Sequence, residues 1–241
     1  MLITSTDNKK IKEINKLKLK KYRDLEDKFI VETPNLIKEA YLNDSLLEVY
    51  ILEGTTLPFK LDVETHEVTE NVMNKIKSIN TSKVLGICKK KESNIYEGTH
   101  FLLLDGVQDP GNLGTILRSS LAFGVDTVIL SEDSCDLYND KVIRASEGAI
   151  FKLNILREDL KLSIKNLKEL SIPIYGTDVT GGESVDKITK GSYAVIMGSE
   201  GNGVKTEIKE LADKNIYIKI KDVESLNVAV ATSIILYELS K

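Results

Sequence analysis

The chain has 241 residues, 41% apolar and 29% charged, with a formal net charge of −4. These values describe a globular protein of one large or two modest domains, and the acidic balance argues against a protein that coats nucleic acid. Apolar-rich stretches such as 125–130 and 234–236 are too short to span a bilayer, and the opening MLITSTDNKKIKEI lacks the apolar stretch of a secretory signal. Residues 7–22 place Ile11, Ile14, Leu17 and Leu19 near helical spacing, which predicts a basic amphipathic helix. Between Lys9 and Lys28 stand Lys9, Lys10, Lys12, Lys16, Lys18, Lys20, Lys21, Arg23 and Lys28, against Glu13, Asp24, Glu26 and Asp27. That is a basic arm on an acidic chain. A short strand is expected at 29–31. Thr33-Pro34 opens a helix with proline at its first position. A strand at 46–52, a helix at 68–79 and a strand at 84–88 complete a small α/β domain over residues 1–92.

The charged, aperiodic stretch KKKESNIYEGTH (89–100) supplies a linker, placed at 93–99. A second α/β domain is expected over 100–241. Its strands fall at 101–104, 127–130, 172–175, 193–197 and 216–220, and its helices at 113–123, 138–146, 158–170, 204–213 and 225–239. Two cysteines, Cys88 and Cys135, lie far apart without a CxxC pair, and the only histidines are His66 and His100. No metal and no disulfide framework are expected from them. The expected compartment is the cytoplasm.

Three stretches in the second domain carry chemistry. In DGVQDPGNLGTILRSSLAFG (105–124) an apolar strand ends at Asp105-Gly106, and Asp109-Pro110-Gly111-Asn112 is turn sequence. A helical period follows to the terminator Gly124. Arg118 lies one and a half turns past Asn112, close enough to the strand's end to reach a crevice there. In AVIMGSEGNGVKTEI (194–208) Gly198, Gly201 and Gly203 form a backbone-rich turn where N–H groups can approach a ligand. Val204 separates Gly203 from Lys205-Thr206, which rotates the lysine by about 100° on a helix and excludes a P-loop. The spacing and late position also exclude a dinucleotide-binding turn. Glu200 would repel a phosphate and suits a hydroxyl, an amide or a cation. In DVESLNVAVATSIILYELS (222–240) Ser225 is placed to cap a helix, and Leu226, Val230, Ile234 and Tyr237 mark one apolar face. The small residues Ala229, Ala231 and Ser233 permit close helix packing, across a dimer in one reading.

DPGNLGTILRSSLAFG, MGSEGNGV and ESLNVAVA, in this order and spacing, resemble motifs one, two and three of the SpoU/TrmH-type RNA ribose 2′-O-methyltransferases of the SPOUT superfamily. The resemblance covers residues 101–239. KFIVETPNLIKEA in the first ninety residues resembles that family's ribosomal-protein-like substrate-binding domain. The resemblance implies a parallel-sheet domain with a deep trefoil knot, an obligate homodimer and S-adenosylmethionine bound among the knot loops. It implies methylation of a ribose 2′-OH in structured RNA, with 23S rRNA favoured. A tRNA substrate, or a catalytically silent RNA- or ribosome-binding homologue, are the alternatives.

Residue by residue, Asn112 and Arg118 fall at the Asn and Arg of motif one, and Glu200 at the Glu of motif two. Ser225 and Asn227 fall at the Ser and Asn of motif three. The resemblance gives these five the catalytic roles. Thr177 and Asp178 match the loop on the adenine side of the donor. Gly198, Ile218, Ile220, Ser225 and Leu226 match positions that hold its adenosine and methionine parts. Arg144 matches a segment near the RNA entry, and Lys9, Lys10, Lys20 and Lys21, with Arg118, become RNA-binding candidates. One departure stands out. The family's motif three begins I-P-M-x-G, whereas this chain has Ile218-Lys219-Ile220-Lys221-Asp222, without the Pro or the Gly.

Overall fold

The computed structural model describes residues 2–91, 93, 95–179 and 181–241, so the expected domain edge at Glu92 lies outside the described residues. The chain forms two compact units, Met1–Lys91 with Tyr138–Phe151, and Glu92–Leu137 with Lys152–Lys241.

The first unit begins with β1 (Leu2–Ile3), α1 (Lys9–Lys16), α2 (Lys20–Glu26), β2 (Lys28–Val31), α3 (Pro34–Leu42), β3 (Leu46–Leu52), β4 (Glu64–Val68), α4 (Glu70–Ile76) and β5 (Val84–Lys89). Its sheet runs β1-β4-β3-β5-β2. The β1–β4 and β3–β4 pairs are parallel, and β5 is antiparallel to both β3 and β2. One face buries Ile11 and Ile14 of α1 and Val72, Met73 and Ile76 of α4 against Tyr50, Leu85 and Ile87. Apolar residues spaced three to four apart give each helix its buried stripe.

The helix expected over 7–22 is two helices. Leu19 is extended (φ −100°, ψ 130°). Buried Arg23 reaches back to donate to the carbonyls of Leu17 (2.8 Å) and Lys18 (2.9 Å). It thus satisfies acceptors that the end of α1 leaves open. The helix expected over 68–79 is shorter, because Val68 ends β4. That strand, ETHEV, has one apolar residue and gives no alternation to read.

The chain continues with β6 (His100–Leu104), α5 (Pro110–Ala122) and β7 (Thr127–Leu130), then α6 (Asp140–Ala145) and α7 (Ala149–Lys152). Residues 138–151 belong to the first unit, not to the second as their place in the sequence suggests. There Phe29 packs on Tyr138 (ring centroids 4.6 Å) and Phe151 (6.0 Å). The second unit resumes with β8 (Asn154–Arg157), α8 (Leu160–Glu169), β9 (Ile174–Thr177), β10 (Glu183–Ser184), β11 (Tyr193–Met197), α9 (Thr206–Lys209), β12 (Lys214–Tyr217) and α10 (Val228–Ser240).

These strands form a seven-stranded sheet, β10-β12-β9-β11-β6-β7-β8, in which every pair is parallel. Its core includes Phe101, Leu103, Ile129, Ile174, Ala194 and Ile196 under the α8 residues Leu160, Ile164 and Leu167. Central strands are apolar throughout (YAVIM, TVIL), as expected where helices cover both faces.

Several elements differ from the sequence expectations. The two-residue strands β1 and β10 are too short to announce themselves, and β8 (NILR) has polar residues at both ends and no apolar run to read. The expected strand 172–175 lies at 174–177 and the expected 216–220 at 214–217. Thr177 is therefore the last residue of a strand, and Ile218 and Ile220 lie beyond one. Of the helix expected at 204–213, only α9 forms. Ser225 does not cap the last helix. Asn227 does, its Oδ1 accepting from the N–H groups of Ala229 (2.9 Å) and Val230 (3.3 Å). On α10 the buried face is Val228, Ala229, Thr232, Ile235, Leu236 and Leu239. The stripe singled out from the sequence, Val230 and Tyr237 with half-buried Ile234 between them, faces outward.

Candidate functional site

A fully parallel sheet brings the carboxyl ends of its strands to one end, where ligands bind in such folds. β6 and β11 are neighbours, with Leu104 paired to Met197, and the Asp105 N–H donates to the Met197 carbonyl (2.8 Å). Both strands therefore end together. After β6, Asp109 caps α5 by accepting from the Asn112 N–H (2.8 Å), and Pro110 takes the first helical position. After β11, the GSEGNG loop closes on itself. Ser199 and Gly203 exchange two backbone hydrogen bonds of 3.0 Å, with Gly203 at φ +66°. A Cβ on Gly198 would stand 1.9 Å from the Gly203 carbonyl carbon, so only glycine fits there.

One hydrogen-bonded chain joins the three sequence motifs. Asn112 Nδ2 donates to Glu200 Oε1 (2.9 Å), and Asn227 Nδ2 donates to Asn112 Oδ1 (3.0 Å). Each amide orientation is forced by its neighbours. The Glu200 carboxylate only accepts, so Asn112 must present its NH₂ there and its oxygen to Asn227, whose own oxygen receives the α10 N–H groups. The Asp109 N–H adds a longer contact to Glu200 (3.4 Å). Burial raises the Glu200 pKa. The Asn112 amide and the backbone N–H groups of Glu200, Asp109 and Gln108 lower it by more and hold the carboxyl below its ordinary value.

A second network fixes these loops, and sequence reading missed it. Asp105, almost fully buried at the end of β6, accepts from the Lys205 N–H (2.8 Å), and the Lys205 ammonium lies 3.1 Å from its other oxygen. The same ammonium pairs with Asp133 (2.8 Å). Hydrogen bonding to Asp133 raises the Lys205 pKa, and the same contact lowers that of Asp133. Ser131 Oγ accepts from the Gly106 N–H (2.8 Å), and the Cys135 N–H donates to the Val107 carbonyl (2.9 Å). Arg157, at the end of β8, donates to the carbonyls of Ser131, Ser134 and Cys135 (2.9, 2.9 and 2.6 Å). The clustered Ser131, Asp133 and Ser134 after a strand were the available signal.

On the other side, β9, β11 and β12 end side by side. Thr177 Oγ1 donates to the Ile196 carbonyl (2.8 Å), and the Asp178 N–H to the Ile216 carbonyl (3.1 Å). The Asp178 carboxylate is engaged by the Lys209 ammonium. Ile218, Ile220 and Leu226 are half-buried past the end of β12, and Ser225 is exposed. Asp222 adopts φ +60°, at the position where the family pattern has glycine. Asp tolerates that left-handed conformation better than most residues, which accounts for a chain that lacks the Gly.

The profile of the SpoU rRNA Methylase family matches residues 99–237, and that of the MRM3-like substrate binding domain matches residues 8–85. This chain belongs to the SpoU rRNA methylase family. It is 32% identical, over 98% of both chains, to the 23S rRNA (guanosine(2553)-2′-O)-methyltransferase RlmP of Bacillus subtilis (strain 168). It is 34% identical to the 23S rRNA (guanosine-2′-O-)-methyltransferase RlmB of Coxiella burnetii, over 81% of this chain and 77% of that one. The fold matches the AdoMet-bound rRNA methyltransferase from Sinorhizobium meliloti with a TM-score of 0.86 at 27% identity, covering 99% of this chain and 97% of that one.

Of the SpoU motif residues, the structure brings Asn112, Glu200 and Asn227 together and leaves two outside the chain of hydrogen bonds. Arg118 is exposed on α5 and makes no hydrogen bond or ion pair among the described residues. Six residues of helix set it about 9 Å along the axis from Asn112. Ser225 lies in the irregular segment before the Asn227 cap. The other RNA candidates sit on the first unit. Arg144 pairs with Asp140 (2.7 Å) on α6. Lys20 pairs with Asp24 (2.8 Å), and Lys9 lies 3.9 Å from Glu13. Lys10 is committed elsewhere: its ammonium lies 3.2 Å from His66 Nε2, 3.3 Å from Glu64 and 3.4 Å from Glu48. Those residues hold three metal-ligand atoms within 4.8 Å of one another, and the lysine cation supplies their countercharge. Lys21 has no carboxylate partner among the described residues.

Proposed function

We propose that this SpoU-family chain is an S-adenosylmethionine-dependent RNA methyltransferase acting on a ribose 2′-OH, with 23S rRNA as its substrate and no metal in the reaction. The observation that carries the reading is the Glu200–Asn112–Asn227 chain, which ties three motifs distant in sequence into one edge at the carboxyl end of the sheet. The names of the relatives that span the whole chain or most of it support rRNA over tRNA.

The residues present fit the methyl donor. The loops after β9, β11 and β12 converge, and they offer backbone groups beside the half-buried aliphatic side chains of Ile218, Ile220 and Leu226, suited to an adenosine. Thr177, Asp178, Gly198, Ser225 and these three hold the donor in this reading. When bound, it supplies an electrophilic methyl carbon on a cationic sulfur. The hydroxyl proton passes to solvent and not to Arg118, whose guanidinium has no site to accept it. Arg118 holds the target's phosphate and stabilises negative charge as it develops on the 2′-oxygen. Glu200, kept ionised, and Asn112 fix the edge against which the ribose is oriented. Asn227 does the same for the start of α10.

A homodimer through the second unit belongs to the proposal. α10 is apolar on nearly every side, yet Val230 and Tyr237 are about half exposed, and Leu121 of α5, the helix it packs on, is exposed too. A helix apolar all round requires cover on that face. A deep trefoil knot in the carboxyl-terminal segment, and action in the cytoplasm where rRNA is assembled, complete the reading.

The test is transfer of tritiated methyl to 23S rRNA transcripts, with calorimetry for donor binding. Arg118→Ala is expected to abolish transfer while donor affinity is unchanged. Retained transfer would refute the role given to Arg118. Absence of donor binding by the unaltered chain would refute the function itself.

A further inference from the structure

We infer that Tyr22 and its lysine neighbours form a nucleobase-stacking site for an unpaired nucleotide of RNA. The site lies where α1 and α2 meet Glu48 of β3 and Ile87 of β5. It rests on the RNA substrate proposed above and deepens that reading by naming where the first unit reads the RNA.

Four observations combine there. Half-buried Tyr22 has the Lys16 ammonium 5.5 Å and the Lys21 ammonium 5.9 Å from its ring centroid. Lys16 and Lys21, unlike Lys9, Lys10, Lys12 and Lys20, have no carboxylate partner among the described residues. Leu19 and Leu25 on the same short hairpin of helices are 60% and 70% exposed, which an isolated basic helix face does not need. A groove of about 190 Å³ beside them is lined by Lys16, Tyr22, Leu25 and Lys28.

The chemistry of an unpaired nucleotide fits each part. The groove is smaller than the roughly 300 Å³ at which whole small-molecule sites begin, so it takes one ring system. Glu13, Glu26 and Glu48 also line it, so it is not a phosphate track. The phosphates lie at its rim, on Lys16 and Lys21. Magnitudes decide what happens at the ring. An exposed cation–π contact is weaker than base stacking on an aromatic side chain, so an arriving base displaces the lysines from the ring face and leaves their charge for the flanking phosphates. Duplex RNA keeps its bases inside the helix and offers none to stack.

The chain contains no tryptophan, so Tyr22→Trp makes the full-length protein report from this position alone. Oligoadenylate is expected to quench that fluorescence, and an adenine–uracil duplex of equal length to leave it unchanged. Tyr22→Ala should weaken oligoadenylate binding about tenfold, and Tyr22→Phe should restore it. Lys16→Ala should lower the salt dependence of single-strand binding by about 0.7 in slope. Quenching by both RNAs alike, or oligoadenylate affinity unchanged in Tyr22→Ala, would overturn the stacking site. If the unaltered chain binds S-adenosylmethionine and methylates rRNA while Tyr22→Trp stays unquenched, the stacking site alone fails. If it binds no donor, the function proposed above fails first.

Discussion

Glu200 is exposed enough to meet solvent, yet its neighbours hold it ionised. Its folded pKa lies below the ordinary 4.5, so the charged form contributes stability that is complete above the unfolded value and is lost as pH falls through the lower, folded one. The stability difference between the unaltered chain and Glu200→Gln should therefore stay constant at neutral pH. It should close only below about pH 4.5, which urea titrations at a series of pH values would show. A difference that already closed near neutrality would mean that the carboxylate is not the anchor of the Asn112 amide. Gly198 is the sharper residue-scale case. Its missing Cβ is the space the Gly203–Val204 backbone occupies, and backbone cannot step aside as a side chain end can. Gly198→Ala is expected to cost about 3 kcal/mol or more, with donor affinity falling alongside in calorimetry.

At the scale of elements, the ends of β6, β7 and β11 are held by charges that do no chemistry. Asp105 is buried and depends on Lys205 for both a backbone hydrogen bond and a countercharge. Removing one member of a buried pair leaves the other uncompensated, but Lys205 is itself about half exposed and screened by water. Lys205→Ala is thus expected to destabilise by about 2 kcal/mol and to weaken donor binding, because the exit of the GSEGNG loop keeps its backbone hydrogen bond to Asp105 but loses the ammonium that joins Asp105 to Asp133. Lys214→Ala removes a surface pair with Glu183 and should do neither. The same scale explains the broken helix at the amino end. Arg23 reads as one more cation of a basic arm, but its guanidinium caps α1 and permits the turn that displays Tyr22, Leu19 and Leu25.

For the whole molecule, the outward face of α10 makes a prediction about assembly. Val230→Glu places a charge on a surface that the homodimer buries. It should shift the chain to monomers in light scattering at micromolar concentration, with the fold of each unit intact by circular dichroism. If Val230→Glu stayed as associated as the unaltered chain, the α10 face would not be the interface. Residues 138–151 show how the two compact units depend on one chain. A segment that follows β7 in sequence completes the aromatic cluster around Phe29, so a cut at the linker would strip the first unit of Tyr138 and Phe151.

The α/β class, the runs TVIL and YAVIM as buried strands, and the three motif loops that resemble SpoU enzymes were all legible along the chain. Apolar periodicity and turn residues are local signals, and they need no knowledge of what lies opposite. Tertiary structure alone decided that Asn227 and not Ser225 caps α10, that the Val230–Tyr237 stripe faces outward, and that Lys10 is spent on Glu48, Glu64 and His66. It alone joined Asn112 to Glu200 and Asn227, and Asp105 to Lys205. Those partners are some ninety to a hundred and fifteen residues apart in sequence, and which polar groups meet is settled by where parallel strands end, not by any spacing along the chain.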